Sequence, residues 1–249
     1  MNLATSRDGE SASIGFVSGA ARRARRTLRN WRIRSALADT NRCPAILCAS
    51  IGRVGSNMLH RSIVEARTRS ILGSFEAADA ALVGATNWNL AERPLASGRV
   101  IKTHDFPYAL DRGAAVKVVF SLGRPSDTVL SVLRKSQVSG ESWRDRHLLN
   151  MHACGPLEEA LDRDVLRLEE QIDSWTAVSG VPLMAIHYDA LWTSEPLLSD
   201  FLGFRVTLPE RRARHFDDLD PALVARVRNA YARVDEKVAG LPLVWRANG

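Results

Sequence analysis

The most constraining feature of the sequence is a short apolar run that is followed by a glycine-containing loop and then by a helical pattern. Residues 44–50 form the apolar run, which is bounded by proline and glycine and is typical of a buried strand. In residues 57–69 the apolar side chains recur at helical spacing. A strand, a loop and a helix in this order predict the first unit of an α/β fold.

Further apolar runs occur at residues 100–103, 115–122 and 181–188, and helical patterns such as 156–178 separate them. Alternating strands and helices favour a central parallel sheet with helices on both faces. The chain has 249 residues, 45% of them hydrophobic and 25% charged, which is enough for one sizeable core. We therefore predict a three-layer α/β domain over residues 43–249.

The net charge of the chain is concentrated in an N-terminal arm, residues 1–42. The arm holds nine arginines against three acidic residues, a net charge of +6, whereas the remaining residues hold 25 basic and 25 acidic side chains. Residues 1–19 are polar and rich in Ser and Gly, which predicts disorder. From Ala20 onward the arginines surround a thin apolar stripe, which predicts a basic amphipathic helix. The stripe consists of Ala21, Ala24, Leu28, Trp31 and Ser35.

Two interpretations of this helix are open from the sequence. Its arginines suit peripheral contact with an anionic membrane surface or with an acidic partner, whereas its stripe suits packing on the domain through Trp31. The domain behind the arm is electrically balanced, and its basic residues lack interleaved aromatic side chains. We therefore expect no nucleic-acid binding.

The same sequence features favour a cytoplasmic protein. No run of about 18 apolar residues is present for a membrane-spanning helix, and the weakly apolar residues 11–21 precede the arginine cluster, unlike a secretory signal. Three cysteines, Cys43, Cys48 and Cys154, are too few for a disulfide framework and lack zinc-ligand spacing. Peripheral membrane attachment through the arm is the alternative.

The loop at residues 50–57 is a candidate phosphate-binding loop. It lies between the first strand and its helix, where backbone N–H groups and the positive end of the helix can hold an anion. Gly52 and Gly55 permit the backbone angles and the close approach that such a loop needs. The loop has no lysine before Ser56 and so departs from the Walker A pattern, which disfavours an ATP or GTP hydrolase. An ordinary tight turn is the alternative.

Two later strand ends supply candidate partners for this loop. Lys102 and His104 are two residues apart and share one face at the end of a strand, where open α/β sheets bind ligands. Arg124 follows the next strand, and Ser131 lies in the helix after it; a guanidinium beside a hydroxyl suits a second phosphate. A surface histidine and a turn capped by Asp127 are the structural alternatives.

Together these segments resemble the sulfotransferases that use 3′-phosphoadenosine 5′-phosphosulfate (PAPS), over roughly residues 43–249. The order of motifs matches that family: the loop 52–57, then Lys102 and His104, then Pro125, Asp127 and Ser131. Residues 187–191 look like the family's Tyr-acidic-x-Leu strand end, and a helix with Trp175 precedes them. The resemblance implies a P-loop-like 5′-phosphosulfate loop after the first strand, a hydroxyl acceptor, a 3′,5′-bisphosphate product and no metal. The implied acceptor is a carbohydrate, a glycolipid or a small molecule.

The resemblance also implies roles for individual residues. Arg53 takes the place of the family's cation at the leaving phosphate, Lys102 contacts the same end, and His104 is the general base. Glu76 is the alternative base, because other branches use a glutamate some distance after the loop. The donor-binding residues implied are Gly52, Arg53, Val54, Gly55, Ser56, Asn57, Arg124, Ser131 and Tyr188.

The sequence departs from the family pattern at the adenosine end of the donor. The family's 3′-phosphate arginine falls on Gly123, one position before Arg124, and its adenine-stacking aromatic residue falls on Met58. The family's C-terminal Arg-Lys-Gly loop has no counterpart, for which the candidate substitutes are Arg211, Arg212 and Arg214. A P-loop-like nucleotide-dependent kinase or nucleotide-binding protein is the alternative function. The missing lysine and the lack of an Asp-ended apolar strand for Mg²⁺ disfavour it.

Overall fold

A six-stranded sheet lies at the centre of the computed structural model, which describes residues 8–93, 95–96, 98–110, 115–213 and 215–247. The strands are β1 (Ala45–Ser50), β2 (Gly84–Thr86), β3 (Val100–Thr103), β4 (Val116–Leu122), β5 (Leu183–His187) and β6 (Val244–Ala247). Their order across the sheet is β2-β3-β1-β4-β5-β6. β6 pairs antiparallel with β5, and the other neighbouring strands are parallel.

Helices flank both faces of this sheet. They are α1 (Asp8–Ala38), α2 (Ser56–Leu72), α3 (Ala80–Val83), α4 (Pro125–Ser139), α5 (Glu141–Asn150), α6 (Leu168–Thr176), α7 (Glu195–Leu202), α8 (Pro221–Ala230) and α9 (Ala232–Ala239). Short 3-10 segments occur at Ala77–Asp79, Pro107–Ala109, Leu157–Leu161 and Tyr188–Ala190. In the described residues, no helix combines the length and the apolar character that crossing a membrane requires.

Side chains of one strand enter two different hydrophobic cores. Leu47 and Ala49 of β1 pack in a core with α4, α6, α8 and α9. Ile46 and Cys48, which alternate with them, pack in a second core with α1, α2 and α7. Because both faces of the sheet are covered, its inner strands are continuous apolar runs. The prediction of an α/β fold with a central sheet flanked by helices is confirmed, and the sheet is mostly parallel where a parallel sheet was predicted.

Three local details differ from the sequence prediction. The short edge strands β2 and β6 were not predicted, and β6 makes the sheet mixed rather than wholly parallel. The helix predicted over 156–178 is interrupted: a 3-10 segment, Leu157–Leu161, precedes α6. Arg167, at the N-cap of α6, has the left-handed φ of 55°, which a continuous helix does not allow.

The path of the chain places β1 at the point where the strand order reverses. After β1 the chain builds β2 and β3 on one side and then crosses to β4 on the other side of β1. The carboxyl ends of β3, β1 and β4 therefore lie side by side. In open α/β sheets such a topological switch point forms the crevice in which ligands bind.

The N-terminal helix α1 begins at Asp8, so the disorder predicted for residues 1–19 is wrong from Asp8 onward; residues 1–7 lie outside the described residues. Ile33 and Leu37 bury their side chains in the second core, and Arg29 donates to the Asp79 carboxylate at 2.5 Å. Trp31 stays 64% exposed. Helix α1 therefore packs on the domain, as one of the two interpretations expected, but through Ile33, Leu37 and Arg29 and not through Trp31.

Candidate functional site

Three residues of the loop between β1 and α2 have a left-handed backbone conformation. Gly52, Arg53 and Gly55 have φ values of 78°, 52° and 76°. The two glycines adopt this conformation at low cost, whereas Arg53 is strained in it. α2 starts directly after the loop and has no acidic residue in its first turn. Left-handed turns that lead into a helix N-terminus aim backbone N–H groups at one point, which suits an anion.

Lys102, on β3, reaches the start of α2. Its Nζ donates to Asn57 Oδ1 at 2.6 Å and lies 5.2 Å from the centre of the Trp88 ring. The side chain is buried. Burial, followed by repulsion from Arg53, lowers the pKa of Lys102 to about 8. The ammonium group is therefore poorly solvated and has a cationic neighbour, a setting that an anionic ligand would stabilise.

His104, directly after β3, is fixed by the end of β1. Its Nδ1 lies 3.0 Å from the Ser50 carbonyl oxygen and 2.9 Å from Ser50 Oγ. Because a carbonyl only accepts, Nδ1 carries the proton and Nε2 is left unprotonated, as a general base requires. Burial, followed by the charge of Lys102, lowers the pKa of His104 to about 3. The imidazole is neutral at physiological pH.

Arg53 connects the loop to α4. Its Nε donates to Ser131 Oγ at 3.1 Å, and its guanidinium carbon lies 5.9 Å from the centre of the Trp143 ring. Val54, the next loop residue, buries its side chain in the core and offers a ligand only its backbone. The structure thus brings together the predicted residues Arg53 and Ser131, which the resemblance assigns to different ends of the donor.

A second histidine at this site was missed by sequence reasoning. His147, on α5, is buried and stacks on Trp143 with ring centres 4.8 Å apart. A Cβ atom added to Gly52 would lie 3.6 Å from its Cε1, and its Nε2 has no hydrogen-bond partner among the described residues. Burial, followed by Arg53, lowers its pKa to about 4. The available signal was the i,i+4 spacing of Trp143 and His147 on one helix face.

Glu76, the alternative base, lies away from this cluster. α2 has 17 residues and therefore spans about 25 Å from the loop to its C-terminus, and Glu76 follows that far end. Its carboxylate pairs with Arg25 at 3.2 Å and with Arg29 at 3.4 Å. The structure does not bring Glu76 to Lys102 and His104.

The predicted 3′-phosphate segment is partly occupied by protein groups. Asp235 accepts the backbone N–H of Ser126 at 3.0 Å, at the N-terminus of α4. Arg228 pairs with Asp127 at 2.5 Å. A Cβ atom at Gly123 would lie 3.1 Å from Val54 Cγ1, so a longer side chain would require the loop to move. Arg124 is exposed at the N-cap of α4.

A cavity of about 1220 Å³ adjoins the other side of the loop. Gly55, Met58 and Tyr188 line it where it meets the loop, and Trp192 and Arg212 line it further away. The Tyr188 and Trp192 rings meet edge to face with centres 5.4 Å apart. The cavity therefore provides aromatic rings that can stack on a flat group, and a guanidinium group that can bind an anion.

Of the other two candidate arginines at the adenosine end, the structure describes Arg211. Arg211 pairs with Asp189 at 2.7 Å and lies over the Trp192 ring at 5.5 Å. Arg214 lies outside the described residues. Of the two described arginines, Arg212 is the one that lines the cavity together with Gly55 and Tyr188.

Neither protein-family models nor curated proteins give a match to this chain. In the described residues, no three His, Cys, Asp or Glu side chains form a group that could hold a metal ion. The groups that the structure brings together at the site are the cations Arg53 and Lys102, the neutral imidazoles of His104 and His147, and the backbone of the loop.

Proposed function

We propose that the protein transfers a sulfuryl group from PAPS to a hydroxyl of a carbohydrate, glycolipid or small-molecule acceptor. The observation that carries this proposal is the position of His104 at the switch point, beside Lys102 and the left-handed loop. A desolvated cation and backbone N–H groups suit a transferring anionic group, and a neutral imidazole beside them suits removal of a proton from its acceptor.

The 5′-phosphosulfate is assigned to the loop 52–57, in the manner of a P-loop-like site. Its backbone N–H groups, Arg53 and Lys102 would bind the phosphate and sulfate oxygens. The adenosine is assigned to the adjoining cavity, where Tyr188 and Trp192 supply an aromatic surface. They would replace the adenine-stacking aromatic residue of the family, whose position is occupied by Met58. Arg124 and Arg212 are the candidate cations for the 3′-phosphate.

The proposed transfer is an in-line displacement at sulfur. The acceptor hydroxyl gives its proton to His104 Nε2 as its oxygen forms a bond to sulfur, and the bond from sulfur to the bridging oxygen breaks. Arg53 and Lys102 stabilise the negative charge that develops on that bridging oxygen. The products are a sulfate ester and the 3′,5′-bisphosphate, and we expect no metal requirement.

Donor binding would offset one of the two main causes of the low pKa of His104. Burial and the charge of Lys102 depress that pKa in the free protein. A bound phosphosulfate places negative charge near Lys102, which offsets its repulsion and raises the pKa of the imidazole. The histidine is thus neutral before the donor binds and more basic afterwards.

Calorimetric titration tests the donor assignment against a nucleotide-dependent kinase. We expect adenosine 3′,5′-bisphosphate to bind in the presence of EDTA, and ATP with Mg²⁺ to bind at least about tenfold more weakly, since one tenfold step is about 1.4 kcal/mol. An unrelated oligonucleotide serves as the polyanion control. Tighter binding of ATP, together with a requirement for Mg²⁺, would favour the kinase.

The pKa of Lys102 predicts how bisphosphate affinity changes with pH. Lys102 is charged below its pKa of about 8, and a bound anion raises that pKa further. Affinity should therefore be constant below this pH and should fall above it by up to about tenfold per pH unit. The Lys102→Met variant should bind more weakly and should lack this decline. An equal decline in both proteins would show that another group titrates.

A further inference from the structure

The apolar stripe of α1 is exposed, and its residues Trp31 and Ser35 border a cavity shared with the domain. Residues 28 and 31 are three positions apart and lie on one helix face, and Leu28 and Trp31 are 58% and 64% exposed. Ala21, Ala24 and Ser35 complete the stripe and are exposed as well. The opposite face of α1 holds the helix on the domain, through Ile33 and Leu37 in the core and Arg29 at Asp79.

Positive charge borders the stripe along its length. Arg25 and Arg32 flank Leu28 at the i−3 and i+4 positions, and Arg34 follows Trp31 by three positions. All three side chains lie on exposed residues. An exposed stripe with a large aromatic residue, bordered by arginines, is the pattern of a helix that lies in the plane of an anionic membrane interface.

A cavity of about 770 Å³ opens beside Trp31 and extends this cationic surface. Arg32 and Arg42 are exposed residues of its lining, and Arg67 and Lys117 line it on the side of the domain. Arg67 is only 4% exposed, and its Nη2 donates to the Pro44 carbonyl oxygen at 2.8 Å. Asp39 is the one acidic residue among the described lining residues. Four cations against one carboxylate suit the phosphate of a lipid headgroup.

We propose that α1 docks the protein on an anionic lipid membrane, with Leu28 and Trp31 inserted at the headgroup boundary and the bordering arginines on the lipid phosphates. Charge complementarity favours this occupant, because the whole excess of positive charge lies within residues 1–42. α2 connects this surface, near Arg67, to the loop at its N-terminus.

Vesicle sedimentation with the full chain tests this proposal. The vesicles are phosphatidylcholine alone and an equimolar mixture of phosphatidylcholine and phosphatidylglycerol. We expect binding to the mixed vesicles to exceed binding to the neutral ones by about tenfold or more, and to weaken as salt is added. Equal binding to both vesicles, or no binding to either, would overturn the proposal.

Substitutions on the stripe separate insertion from simple charge attraction. The double variant Leu28→Ser, Trp31→Ser should lose about tenfold or more in binding to the mixed vesicles, because both apolar side chains leave the interface. Val138→Ser is the matched control, since Val138 is 79% exposed on α4, and it should bind as the wild type does. Unchanged binding of the double variant would contradict insertion.

The same variants exclude other occupants of the stripe. If size-exclusion chromatography shows a wild-type dimer that the double variant converts to a monomer, a second copy covers the stripe and the proposal is wrong. Bisphosphate affinity of the double variant should equal that of the wild type, because the stripe lies outside the donor site. The outcome for the membrane is therefore independent of the outcome for sulfuryl transfer.

Discussion

Replacing His104 with alanine should lower turnover by about 10²-fold or more and leave bisphosphate affinity nearly unchanged. The expected loss follows from removal of the only proposed group that takes the acceptor proton. Turnover is measured as the release of bisphosphate from PAPS at saturating donor. His104→Gln keeps an N–H donor for Ser50 and most of the buried volume, so a similar loss of turnover in this variant, with bisphosphate affinity unchanged, would exclude a folding defect as the cause.

Glu76→Gln is the matched test of the alternative base. Glu76 is about half exposed and pairs with the exposed Arg25, and such a surface pair contributes about 0–1 kcal/mol. Its other partner, Arg29, is largely buried but keeps a shorter pair with Asp79. The variant should therefore fold normally and keep wild-type turnover. If Glu76→Gln lowers turnover and His104→Gln does not, the base is Glu76 and the assignment to His104 is wrong.

Replacing Arg53 with alanine should weaken both donor binding and transfer. Loss of a positioned cation at the leaving group lowers turnover by about 10²-fold, and loss of charge-assisted hydrogen bonds to the phosphate lowers bisphosphate affinity by about tenfold or more. Affinity is measured by calorimetry and turnover by bisphosphate release. An unchanged bisphosphate affinity would count against the loop as the 5′-phosphate site.

Two further variants separate the charge of Arg53 from its backbone strain. Arg53 has a φ of 52°, which glycine adopts without strain. Arg53→Gly should therefore lose activity as Arg53→Ala does, yet unfold at a higher temperature than the alanine variant. Arg134→Ala removes an exposed arginine that pairs with Asp218 and should leave both affinity and turnover unchanged.

The centre of the fold could be predicted from the sequence because its strands are covered on both faces. Such strands are continuous apolar runs, and β1, β3 and β4 each coincide with one. The edge strand β6 could not be found in this way, since its residues are at most half buried and form no such run. The loop with Arg53 could be placed because it follows β1, and Lys102 could be placed because it lies near the carboxyl end of β3.

The site residues that lie on helices far along the chain from these strand ends could not be predicted from the sequence. His147 reaches Gly52 only because α5 packs over the loop, a tertiary contact that a local pattern does not contain. Glu76 matched a family position in order along the chain, but the length of α2 separates it from the loop. The occupation of the α4 N-terminus by Asp235 is likewise a contact between distant segments.

The orientation of α1 on the domain could not be predicted from the sequence either. Helical spacing identified the stripe with Leu28 and Trp31, but spacing alone does not decide which face of a helix meets the domain. Ile33 and Leu37 are also spaced by four residues, and they form the buried face. The pairing of Arg29 with Asp79 adds a contact that no local pattern predicts.

The central claim is tested most directly by transfer of a radiolabelled sulfuryl group from PAPS. The purified full chain is incubated with labelled donor, EDTA and a set of sugars, glycolipids and small alcohols, and labelled products are separated by chromatography. We predict label on at least one hydroxyl acceptor with the wild type, and at least about 10²-fold less with His104→Gln. The claim would be contradicted if no acceptor gains label although the bisphosphate binds, or if equal label appears with both proteins.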